Sequence, residues 1–202
     1  MFSDRHVEID GRRLRYREAG QGLALVHLVN ADALALTPAH GLLARTFRVV
    51  ALEIPDGTRD GGAVAARALT QLGLEAFNLM ASATTAPAAL ALALQAPARV
   101  RSIVLESPAA VAPGVGDPAL QARLAEITTP TLILMGTLDD ATATGVGRAY
   151  QARIVGCHLA FVYAAGAAIA AERAEAFAEI VADFCERREA FVISRATTLI
   201  NP

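Results

Sequence analysis

The stretch Phe77-Asn78-Leu79-Met80-Ala81-Ser82-Ala83-Thr84-Thr85-Ala86-Pro87-Ala88-Ala89-Leu90-Ala91-Leu92-Ala93-Leu94-Gln95 decides the fold. Ala76 and the opening residues of this stretch, to Met80, carry no charge, the pattern of a strand buried on both faces. The run then passes into small residues. Pro87 opens a helix of alanine and leucine, because proline is tolerated in a first helical turn and alanine is the best helix former. A buried strand, a tight turn and a helix in immediate succession form the unit from which parallel sheets are built.

Working outward, the same alternation covers the chain. His6 to Ile9, an Asp10-Gly11 turn and Arg13 to Glu18 read as a β-hairpin. Leu23 to Leu28 and Arg48 to Ile54 read as buried strands, with a short helix from Pro38 to Ala44 between them and a turn at Pro55-Asp56-Gly57 after them. Ala63 to Leu72 is helical and capped by Gly73. Further strands are predicted at Ile103 to Glu106, Thr131 to Met135 and Leu159 to Tyr163. Helices are predicted at Pro118 to Glu126, Gly147 to Arg153 and Ala174 to Arg187, and a last strand at Phe191 to Ser194. The fold class is α/β: a mostly parallel sheet with an N-terminal antiparallel hairpin and helices on both faces. We expect one domain over residues 1–187 and a C-terminal tail over 188–202.

Composition excludes several functions. Net charge is −2, which argues against a nucleic-acid or anionic-membrane partner. All 18 basic residues are arginine, so there is no Schiff-base lysine and no P-loop lysine. No cofactor is expected. Arg13, Arg15 and Arg17 share a strand face and read as a solvated edge. Cys157 and Cys185 are isolated thiols that read as small buried hydrophobes. No apolar run approaches the roughly 20 residues of a membrane span. Residues Met1 to Asp10 hold no apolar signal core, so a cytoplasmic location is expected.

From Val7 to Phe184 the chain resembles the α/β-hydrolase superfamily. Leu25-Val26-His27-Leu28 is similar to the strand that leads into the oxyanion loop. Phe47 to Pro55 is similar to the next strand and its acidic-x-Pro turn. Ala96 to Pro108 is similar to the helix end and strand that follow the nucleophile. Pro130 to Asp139 is similar to the strand presenting the triad acid, and Ala165 to Phe177 to the histidine loop and final helix. The resemblance puts Ala83 on the nucleophile position, Asp139 on the acid and Ala167 on the histidine. Gly-x-Ser-x-Gly is replaced by Ala81-Ser82-Ala83-Thr84-Thr85, and Leu28 stands for the oxyanion-loop glycine. Only about twenty residues lie between Pro108 and Pro130, so no lid domain is expected.

A serine nucleophile needs a base in reach and donors where the oxyanion forms. Both triad residues that carry the proton transfer are replaced here. The expected function is therefore a family-like protein without hydrolytic activity, acting as a binding or assembly module. One alternative is a small apolar ligand bound at the former active site. Another is a weak esterase-like hydrolase with a relocated site, Ser82 with His27. Ser82 otherwise reads as a turn hydroxyl, and His27 as a residue ordering the loop after its strand. His158 starts its strand, on the order of 23 Å along the chain from residue 165, and so falls at the wrong end of the sheet. His6 and His40 read as surface residues. Asp139 with Asp140 reads as a solvated carboxylate pair. A homodimer is expected, with the tail packing on a neighbour or on its own sheet edge.

Overall fold

The first strands follow from local chemistry. Asp10 and Gly11 both take left-handed backbone (φ 51° and 74°), the geometry of a two-residue hairpin turn, and join β1 (Ser3–Ile9) to β2 (Arg12–Ala19). Along β2 the exposed Arg13 and Arg15 alternate with buried Leu14 and Tyr16. Arg15 pairs with Glu53 at 2.7 Å and Arg17 with Asp4, so the arginine face is a solvated, ion-paired edge.

The computed structural model describes residues 1–30, 36–54, 60–109, 117–139 and 143–192. The expected turn at Pro55-Asp56-Gly57, Asp140 and the end of the expected last strand lie outside the described residues.

The remaining strands are β3 (Ala24–Asn30), β4 (Arg48–Ile54), β5 (Phe77–Ser82), β6 (Val100–Glu106), β7 (Thr131–Gly136) and β8 (Cys157–Val162). They form one eight-stranded sheet in the order β1-β2-β4-β3-β5-β6-β7-β8. β1 pairs antiparallel with β2 and β2 with β4; every later pairing is parallel. Helices α2 (Gly61–Gln71) and α3 (Ala86–Gln95) cover one face, burying Leu69, Leu90 and Leu92 against Leu79 and Ile103. Helices α1 (Pro38–Leu43), α6 (Ile169–Glu172) and α7 (Ala174–Arg187) cover the other. There α7 sinks Phe177 and Phe184, both fully buried, each contributing roughly 1.5–3 kcal/mol of transfer free energy. The short α4 (Pro118–Ala122) and α5 (Ala143–Gln151) complete the chain order.

Three expectations are corrected. β3 runs two residues beyond Leu28, with Val29 and Asn30 in register with Glu53 and Ile54. A helical turn, α6, lies in what reads as loop. Phe191 and Val192 form no strand; the chain instead makes a 3-10 turn at Arg188–Ala190 after α7, where Arg188 turns left-handed (φ 51°). Between β6 and β7 the described residues hold only α4 and a 3-10 turn at Leu124–Glu126, and no lid. No helix among the described residues is long and apolar enough to cross a membrane.

Candidate functional site

The C-terminal ends of β3, β5 and β6 meet at one cavity of about 380 Å³. That is where parallel sheets place ligands, and the volume falls in the small-molecule range. Its floor is the junction of β5 and α3. Ser82 ends β5 in extended backbone, and Ala83 turns sharply to φ 40° before the chain enters a 3-10 turn at Ala83–Thr85. A non-glycine residue held there is strained. This is the turn on which a nucleophile elbow presents its side chain. Here the presented side chain is a methyl group.

Thr85 fits this turn better than its β-branching suggests. It is buried, and its hydroxyl lies 2.9 Å from the carbonyls of both Leu28 and Ser82 as donor. It also accepts the Ser82 N–H at 3.2 Å. Thr85 and Ser82 thus form a capping box that ties the turn to β3. Ser82 lines the cavity but serves as the cap of this turn.

The opposite wall comes from the loop after β8. Ala167, Ala168, Ala170 and Ala171 line it. Glu106, the last residue of β6, accepts the Ala170 N–H at 2.7 Å, and Glu172 accepts the Gly166 N–H at 2.7 Å. Two carboxylates thereby pin the loop that brings Ala167 to the cavity. Burial pushes the Glu106 carboxyl up to about 7, against the opposing N–H groups of Ala170 and Ile169; Glu172 adds to the rise. Glu106 is a cavity residue that sequence reasoning missed. The signal was an acidic residue ending an otherwise apolar strand.

The third wall is a histidine pair. His27 on β3 and His40 on α1 stack with ring centroids 5.1 Å apart, and His27 Nδ1 lies 2.8 Å from His40 Nε2. The reading of His40 as a surface residue is corrected: it is 2% exposed. Thr37 caps α1, and its N–H donates to His40 Nδ1 at 3.1 Å. Burial drives both imidazoles down, His40 to about 4 and His27 well below its ordinary value, with the neighbouring His40 adding to the latter. Both are neutral near pH 7 and weak as general bases.

The candidate residues are therefore only partly assembled. Ala83, Ala167, Ser82 and His27 line the cavity together; Asp139, in the turn after β7, is not among its lining residues. The Ser82–His27 combination makes no hydrogen bond, since His27 Nδ1 is engaged by His40 and Nε2 has no partner. His158 packs edge-on against Phe184 and Phe191, away from the cavity. Among the described residues no group of His, Cys, Asp and Glu could hold a metal ion. Cys157 and Cys185 are buried free thiols, each pushed up to about 12 by burial.

No protein-family model matches the chain, and no curated protein matches it either. Solved structures do. A protein described as a CIB-like hydrolase from Thermoplasma acidophilum aligns at TM-score 0.75 and 19% identity, covering 91% of this chain and 97% of its own. A carboxylesterase from Bacillus subtilis aligns at TM-score 0.74 and 17% identity, covering 91% of each chain. Naproxen esterase, also from Bacillus subtilis, aligns at TM-score 0.76 and 14% identity, again covering 91% of each. With its strand order, its strained β5–α3 turn and these alignments, the chain has the fold of the α/β-hydrolases.

Proposed function

We propose that this protein is a non-hydrolytic relative of the α/β-hydrolases that binds a small ligand in the cavity at the former active site. The observation that carries the reading is Ala83. It holds the strained turn of an elbow, at φ 40°, with no nucleophilic atom to present. Ala167 stands across the cavity from it with no base. The donors for an oxyanion are altered as well, because β3 continues as strand through Asn30 where the resemblance implies a loop. Replacing serine and histidine by alanine empties polar volume into an apolar-walled space, which suits a ligand held without turnover.

Hydrolysis of p-nitrophenyl acetate tests the loss of activity. The wild type is expected to be no faster than free imidazole, and Ser82→Ala to change nothing. Ala83→Ser combined with Ala167→His should give at most weak turnover. Saturable turnover by the wild type, abolished in Ser82→Ala or His27→Ala, would overturn the proposal in favour of a relocated active site.

A further inference from the structure

The direction of the buried histidine chain can be worked out from one backbone group. Thr37 N–H can only donate, so His40 Nδ1 is an acceptor. A neutral imidazole with an acceptor at Nδ1 carries its proton on Nε2. His40 Nε2–H therefore donates to His27 Nδ1 across 2.8 Å. His27 in turn must carry its proton on Nε2. Every link donates the same way, from the α1 cap through His40 to His27. The chain ends on an N–H that is buried and has no hydrogen-bond partner.

Buried donors without partners are rare and costly, so each needs an account. A second one lies in the same cavity wall. Ser107 follows Glu106, is held in left-handed backbone at φ 38°, and its buried hydroxyl is also without a partner. Ala83, Ala167 and Val29 supply apolar surface around the two donors, beside Ser82 and beside Asn30 and Thr84, which hydrogen-bond to each other. Among the described residues no arginine lines the cavity, and Glu106 would oppose an anion.

Resting on the reading that the cavity binds a small ligand, we infer that the ligand is a neutral carbonyl compound with an apolar body, its oxygen accepting the hydrogen bond of His27 Nε2–H. A hydrocarbon of the same shape would leave the end of the chain unpaired. A carboxylate would meet Glu106 with no cation among the described lining residues to compensate.

Acetophenone and ethylbenzene, matched in shape, test this on the full chain. Isothermal calorimetry should show acetophenone binding about tenfold more tightly, the size of one net buried hydrogen bond. In ¹⁵N-resolved spectra of the imidazoles, His27 Nε2 should be protonated in the free protein and should move on adding acetophenone but not ethylbenzene. His27→Phe should retain ethylbenzene and lose the preference; if that variant fails to fold, the wild-type spectra decide alone. Equal binding of both probes with Nε2 unmoved would overturn the inference and leave the ligand-binding reading standing. An unprotonated Nε2 would overturn the inference by itself. Absence of binding by either probe at millimolar concentration would overturn both.

Discussion

At the scale of single residues, the turn between β5 and α3 is strained although it presents no nucleophile. Ala83 sits at φ 40°, where an L side chain costs on the order of 1–2 kcal/mol and glycine costs almost nothing. Against glycine's added chain entropy, Ala83→Gly should still stabilise the fold by roughly 0.5–1 kcal/mol in urea unfolding. A loss of stability would show that the methyl group has a packing role. Glu106 and the two histidines set an opposed pair of pH trends. Glu106 releases its proton at about 7 when folded and near 4.5 when unfolded. Its contribution is full below about 4.5 and declines as pH rises to about 7, by about 3 kcal/mol in all. The histidines act the other way: their contribution is full above 6.5 and falls as pH drops, for His40 down to about 4. Together the three groups place maximal stability near pH 6.5, where the histidine contributions are full and only the Glu106 decline remains. In Glu106→Gln, unfolding free energy measured from pH 5 to 9 should lose the decline toward alkaline pH. An unchanged profile would mean that Glu106 is ionised across the range. His40 was illegible in the sequence for a physical reason. Thr37 and His40 form a capping box in which histidine stands where glutamate or glutamine is usual, so the helix start carried no sign that the ring turned inward.

At the scale of elements, the strands were readable because a parallel sheet covered on both faces demands near-continuous apolar runs, and this chain supplies them at β3, β4, β5 and β7, interrupted inside the strands only by His27, Glu53 and Asn78. β4 and α7 have the predicted limits, while β3, β5 and β6 begin or end a few residues away. α6 was missed because four residues leave no periodicity to detect. The site's position was legible through the resemblance, which puts Ala83 on the nucleophile position; its polar half was not, because Glu106 and His40 act through tertiary contacts. One glycine joins the two levels. A Cβ on Gly136, the last residue of β7, would lie 2.2 Å from the carbonyl oxygens of both Ala165 and Gly166. The end of β7 and the loop bearing Ala167 therefore approach as closely as backbones can. Gly136→Ala should destabilise by about 1–3 kcal/mol in denaturant unfolding and widen the cavity wall. A neutral effect would mean that this loop yields freely, contrary to its anchoring by Glu106 and Glu172.

At the scale of the whole molecule, the chain's end and its sheet edge belong together. Phe191 is buried against Phe184 and His158, with ring centroids 5.3 and 5.4 Å away, so the start of the tail packs on its own α7 and β8. Phe191→Ala should cost about 3 kcal/mol, the usual loss for a buried phenylalanine. β8 ends the strand order, and unpaired edges invite pairing with another chain. Val155 just before β8, Tyr163 just after it, and Val192 in the tail are exposed large apolar residues. Val155 and Tyr163 stand at opposite ends of the strand, so the edge between them, and not one apolar patch, would carry an interface. We therefore propose a homodimer across the β8 edge. Light scattering should give twice 21.0 kDa, and Val155→Asp should halve that mass while leaving unfolding stability at low protein concentration unchanged. The two substitutions separate folding from assembly: Phe191→Ala should weaken the fold, and Val155→Asp only the assembly. A monomeric wild type at all concentrations would remove the dimer and leave the exposed residues as ordinary surface.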